Sequence, residues 1–197
     1  AVRLQVLQLE RRLAVFARGE LARRAEGWRI AHCEWKPSRE VFVPGVTPRL
    51  LVRGRIDRID ERVRNGALER RILDYKTADE ATEPASAHRG RSGWKDLQLP
   101  LYALLAAELG DEQPELGYLA LGQDDANSGV RIARWTEADL ESALDAAREV
   151  AKHVRAGDFD ALGRGFPLDP LYQALAGRGL VGAARERGDE PIAEADA

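Results

Sequence analysis

The sequence predicts an α/β fold, an α+β sandwich in which a mixed central β-sheet is flanked by helices. Three observations carry this. Apolar residues recur at spacings of three and four in 2–26, and 96–110 and 136–157 carry helix start and stop signals. Between these helical stretches lie short runs that alternate apolar and polar residues or are rich in β-branched ones. An Asn65-Gly66 pair joins two such runs, the strongest short hairpin signal a sequence can carry. Helices interleaved with strands pack as layers over one core.

Each element has its own local signal. In 2–26, Val6, Leu9, Leu13 and Phe16 form one apolar stripe, arginines decorate the rest, and Gly27 ends the helix. WRIAHCEW (28–35) and REVFV (39–43) read as strands separated by Pro37-Ser38. RLLVRGRIDRID (49–60) and ALERRILDYKT (67–77) read as the two strands of the hairpin. The stretch 78–94 is Ala, Ser, Gly, Thr and charge, and predicts a mobile loop that contains His88. In 96–110, Pro100 is tolerable in the first turn and Gly110 marks the end. ELGYLALG (115–122) and VRIARW (130–135) are strands, and Thr136 with Asp139 three residues on caps the last helix. Residues 1–157 are expected to form the core and 158–197 a partly irregular tail.

Composition narrows the possibilities. The 197 residues carry a net charge of −3, which suits a soluble globular chain with a local basic cleft better than a uniformly basic nucleic-acid binder. A single cysteine, Cys33, rules out an internal disulfide and a cysteine-held iron–sulfur cluster, and fits a cytoplasmic setting. No apolar run is long enough to predict a membrane span. The chain has no methionine, so a fragment of a larger protein is expected.

The hairpin raises the chemical question. A two-residue turn at Asn65-Gly66 sets Arg64 across from Ala67, and then Arg62 across from Glu69, Glu61 from Arg70 and Asp60 from Arg71. Three opposite-charge pairs support this register. It also sets Asp57 across from Asp74, with Cβ atoms roughly 5 Å apart. Two such carboxylates repel, and a divalent cation offsets that directly because hard cations take oxygen ligands. Lys76 shares the face of Asp74, and Arg55 falls across from Lys76. Acids for a metal beside bases for a phosphate suit phosphodiester hydrolysis. Solvated edge charges are the competing reading, and one bulge would set the two acids on opposite faces.

GRIDRID, then ILDYKT, then LQLPLYALL in this order resembles the RecB-like branch of the PD-(D/E)XK nuclease superfamily, whose closest likeness is to the nuclease domains of AddB/RecB-type repair proteins. The resemblance covers about residues 10–155. It implies a restriction-endonuclease-like core. It implies Asp57, Asp74 and the Tyr75 backbone carbonyl as ligands of a catalytic Mg²⁺ or Mn²⁺, with Glu34 as an outer ligand. It implies that Lys76 positions the attacking water or stabilises charge on the scissile phosphate. Gln98 and Tyr102 match the family's Q-x-x-x-Y; four apart on a helix, they share a face from which they could brace the metal site or reach DNA. Alternation puts Arg58 on the face away from Asp57, where a carboxylate partner is expected. The family's upstream helix carries a histidine ligand, which 2–26 lacks, and the four-cysteine cluster of some relatives is missing.

The resulting expectation is a metal-dependent deoxyribonuclease domain, most simply an exonuclease, of a recombination or double-strand-break repair protein. It would act on DNA with a helicase subunit or domain. Arg55, Arg89, Arg91 and Lys95, with Gln98 and Tyr102, are the expected DNA contacts. A nuclease-like scaffold that binds without cutting is the alternative. A small-molecule phosphohydrolase has no glycine-rich phosphate loop to support it.

Overall fold

The structure is a computed structural model that describes residues 2–78, 82–110 and 113–158. The chain divides into two compact units, Ala1–Arg155 and Ala156–Ala197. The tail expected over 158–197 lies almost wholly outside the described residues. The first unit holds the sheet and the candidate site.

The elements are α1 (Val2–Ala25), β1 (Arg29–Trp35), β2 (Ser38–Val41), β3 (Leu50–Arg53), β4 (Ile56–Arg64), β5 (Ala67–Lys76), α2 (Pro84–His88), β6 (Arg89–Gly90), β7 (Gly93–Trp94), α3 (Gln98–Ala106), β8 (Glu115–Ala120), β9 (Gly129–Ala133) and α4 (Glu137–Ala156). The central sheet has five strands in the order β1-β4-β5-β8-β9. Among the described strands only β5 and β8 run parallel, joined through the crossover that contains α3. The sheet is therefore mixed and flanked by helices, as the sequence predicts.

The hairpin has the expected register. Arg64 pairs with Ala67, and the ladder runs without a shift to Arg58 across from Leu73. Asn65 and Gly66 have φ of 54° and 80°, the left-handed pair that a two-residue turn of this kind requires. Arg62–Glu69 and Arg70–Glu61 close as ion pairs across the ladder.

Alternation along β4 and β5 sends the two faces to different helices. Ile59 and Ile72 are fully buried with Leu99, Tyr102 and Leu105 of α3. The other face carries Arg58, fully buried, which grips Asp60 and reaches Glu20 of α1. Phe16 of α1 meets the ring of Tyr75 edge-on, 6.4 Å between centroids.

Three expectations need correction. The run 49–60 is two strands, because the chain turns at Gly54-Arg55. A Cβ on Gly54 would lie 2.6 Å from Leu105 Cδ1, and its N–H donates to Pro37 O, so α3 and the β2 side hold the bend. The α1 stripe is not a core seam: Val6, Leu9 and Leu13 are exposed, and α1 holds the sheet largely through Arg12, Glu20 and Phe16. The stretch 82–94 is a helical turn followed by a small hairpin, fastened to α4 by the Arg89–Asp139 ion pair and by Trp94 Nε1–H donating to Ser142 Oγ at 3.2 Å. His88 is fully buried within it.

Candidate active site

The site forms where β4 begins and β5 ends. Carrying the hairpin register one step past Arg58 and Leu73 sets Asp57 across from Asp74, on the face covered by α3. Asp57 Oδ2 accepts the backbone N–H of Tyr75 at 3.1 Å. The N–H and C=O of one strand residue point to the same side, so the Tyr75 carbonyl also faces β4.

Asp74 is 4% exposed. Its Oδ1 accepts from Gln98 Nε2 at 2.9 Å; a carboxylate only accepts, which fixes the orientation of the amide. The same amide donates to Tyr102 Oη at 2.9 Å, and that hydroxyl donates to Arg55 O at 2.7 Å. The i, i+4 pair on α3 thus links Asp74 to the backbone that leads into Asp57. Burial raises the Tyr102 pKa, and the negative charges of both Asp74 and Asp57 raise it further against the Gln98 hydrogen bond. Both acids therefore act on one hydroxyl.

Asp74 Oδ2 is buried and receives no hydrogen bond. Lys76 Nζ stands 2.6 Å away as an ion-pair partner, but its alignment does not make a hydrogen bond. This is the charge that offsets the acid pair in the protein alone. A buried carboxylate oxygen lacking a hydrogen-bond donor, with a second carboxylate across the ladder, fits a hard divalent cation. Among the described residues no group of three His, Cys, Asp or Glu side chains gathers to hold a metal ion.

The other expected residues have different settings. Glu34 lies on β1 between Cys33 and Trp35, which pair with Arg58 and Ile56, so it is level with Asp57. It has φ of 52°, is exposed, and its carboxylate meets Arg55 Nε at 2.6 Å. Arg55 thus turns to Glu34. Arg89 pairs with Asp139 and covers the Trp94 ring, while Arg91 and Lys95 are exposed on the small hairpin and just after it. Gln98 and Tyr102 stand behind Asp74, mostly buried.

Several neighbours escaped the sequence reading. Tyr118, beside Asp74 in the parallel ladder, lies under Lys76 Nζ at 4.7 Å from its ring centre. Burial first, then the charges of Asp96 and Asp74, push its pKa up to about 12. Its hydroxyl meets His88. Arg12 reaches from α1 to Thr77 O at 2.8 Å and Leu121 O at 2.6 Å, closing the strand ends just past Lys76. A helix arginine among many carries no signal of that contact.

A model of the PD-(D/E)XK nuclease superfamily matches residues 2–164. No curated protein matches the chain. Among solved structures, the chain is similar to a protein from Eubacterium rectale provisionally named an exonuclease, at 15% identity and a TM-score of 0.44, covering 76% of this chain and 54% of that one. The chain thus spans about half of that protein's length.

Proposed function

The chain belongs to the PD-(D/E)XK nuclease superfamily, and from that premise we propose that it is a divalent-metal-dependent DNA nuclease domain of the RecB-like, AddB/RecB branch. The observation that carries this is Asp74: a buried carboxylate with one oxygen lacking a hydrogen-bond donor, faced by Asp57 and flanked by Lys76. Asp57, Asp74 and the Tyr75 carbonyl would hold Mg²⁺ or Mn²⁺, with Glu34 reached from the next strand when it leaves Arg55. A cation bound there supplies Lewis acidity toward a phosphoryl oxygen. Lys76, beside Asp74, would keep an ammonium at the scissile phosphate and orient the attacking water. Gln98 and Tyr102 hold Asp74 in place from behind.

The finer reading is also proposed. Residues 1–157 form the nuclease core of a larger cytoplasmic protein, with 158–197 as its tail. The domain acts as an exonuclease in recombination or double-strand-break repair beside a helicase. Arg55, Arg89, Arg91 and Lys95 contact the DNA backbone without reading sequence.

One observation favours a silent, scaffolding domain instead: among the described residues no third metal-ligating side chain joins the two acids. Cleavage of linear DNA decides. Metal-dependent cleavage that is lost in Lys76→Ala, with the fold intact by circular dichroism, supports the nuclease. A wild-type chain that binds DNA but never cuts it with Mg²⁺ or Mn²⁺ would leave the scaffold.

A further inference from the structure

Behind Lys76 lies a buried polar chain that the two-acid site does not itself require. Tyr118 is 3% exposed and His88 is fully buried. The Tyr118 hydroxyl and His88 Nε2 are 2.7 Å apart, and His88 Nδ1 is 3.0 Å from Asp96 O. A carbonyl only accepts, so Nδ1 carries the proton; in the neutral ring Nε2 then accepts from the Tyr118 hydroxyl. The Asp96 carboxylate accepts the backbone N–H of Gln98 at 2.7 Å, at the start of α3. Gln98 in turn donates to Asp74, and Lys76 stands between Asp74 and the Tyr118 ring face. The contacts close a ring: Asp74, Gln98, Asp96, His88, Tyr118, Lys76.

Filling this volume needs no polar atoms, since a buried His–Tyr pair is costly unless satisfied and apolar side chains would pack as well. The polar atoms instead converge on the two residues that flank Asp74. An aromatic face draws an ammonium toward its centre, so it can set where Lys76 stands once Asp74 no longer holds it. We infer that Tyr118, oriented by His88, is a positioning residue that holds the Lys76 ammonium over the site. This rests on the nuclease reading for its catalytic consequence, and on geometry alone for the placement of Lys76.

The test reads both. In ¹H–¹³C NMR of the labelled chain, the Lys76 εCH₂ signal, assigned with Lys76→Arg, is shifted upfield by the Tyr118 ring. Tyr118→Phe, whose ring has lost the bond to His88, weakens the shift, and Tyr118→Leu removes it. On linear DNA with Mn²⁺, Tyr118→Leu lowers kcat about a hundredfold with KM unchanged, the scale of a misplaced catalytic group. Tyr118→Phe falls between Tyr118→Leu and the wild type. An unshifted Lys76 signal in the wild type overturns the inference, even where Tyr118→Leu does not fold. So does a folded Tyr118→Leu that turns over at the wild-type rate. A wild-type chain that shows the shift yet never cleaves sinks the nuclease reading and the catalytic role with it. The placement of Lys76 by Tyr118 is then still decided by the Leu variant.

Discussion

Arg58→Met probes how the sheet is held in the register that aims Asp57. Arg58 is 1% exposed and Asp60 is fully buried. The guanidinium meets Asp60 with Nε at 2.6 Å and Nη2 at 2.8 Å, and meets Glu20 of α1 through Nη1 and through Nη2 at 3.0 Å. Burial works against the Arg58 charge, yet the hydrogen bonds to Glu20 and Asp60 hold its pKa above the ordinary value. Removing the arginine alone strands Asp60 in the core. That costs about 3–5 kcal/mol, a large share of the 5–15 kcal/mol typical of a domain. Replacing Asp60 as well, in Arg58→Met/Asp60→Leu, takes the uncompensated charge away and recovers most of the loss. Urea unfolding at neutral pH reads both variants. The acid limb gives a second reading. Burial raises the Glu20 pKa, but Arg58 and Arg23 outweigh it and hold Glu20 below its ordinary 4.5. Its contribution is therefore complete above pH 4.5 and is lost as pH falls through the lower folded value. In Arg58→Met this part of the acid limb shrinks. A single variant within about 1 kcal/mol of wild type, or a double variant no better than the single, would refute the argument from stranded charge.

Asp74→Asn removes the charge on the buried oxygen that pairs with Lys76, so calorimetric titration with Mn²⁺ shows saturable binding in the wild type and none in the variant; equal binding would move the metal elsewhere. Gly117→Ala on β8 drives a Cβ into the backbone carbonyl of Arg131 on β9, which no rotamer can relieve. A loss of about 1–3 kcal/mol in thermal or urea unfolding is expected, and an unchanged midpoint would mean that the two strands tolerate separation.

What the sequence revealed depended on how far apart the interacting residues lie. The hairpin was legible because its register is local: an Asn-Gly turn and the pairs Arg62–Glu69 and Arg70–Glu61 determine which side chains oppose, while the third expected pair does not close, since Asp60 turns to Arg58 and Arg71 to Glu115. The Gly54 bend was not legible. Alternation continues through 49–60, and the break is held by Leu105 and by Pro37, which lie outside the segment. The α1 stripe shows the limit of periodicity, which finds an apolar face without saying what covers it; here the contacts to the sheet run through Glu20 and Arg12.

His88 shows the same dependence at the site. Its surroundings in sequence are small and charged, which reads as loop, yet its partners Tyr118 and Trp135 lie 30 and 47 positions away. Asp74, Lys76, Gln98 and Tyr102 could be picked out because two short motifs hold them. The side chains that stand behind Lys76 belong to no motif, because an aromatic face or a hydroxyl can be supplied from any strand that reaches the spot. A lysine two residues beyond an aspartate is free to pair with that aspartate. In the proposed nuclease its service to a phosphate would instead depend on a competing seat, and the Tyr118 ring is the seat among the described residues on which Lys76 already leans.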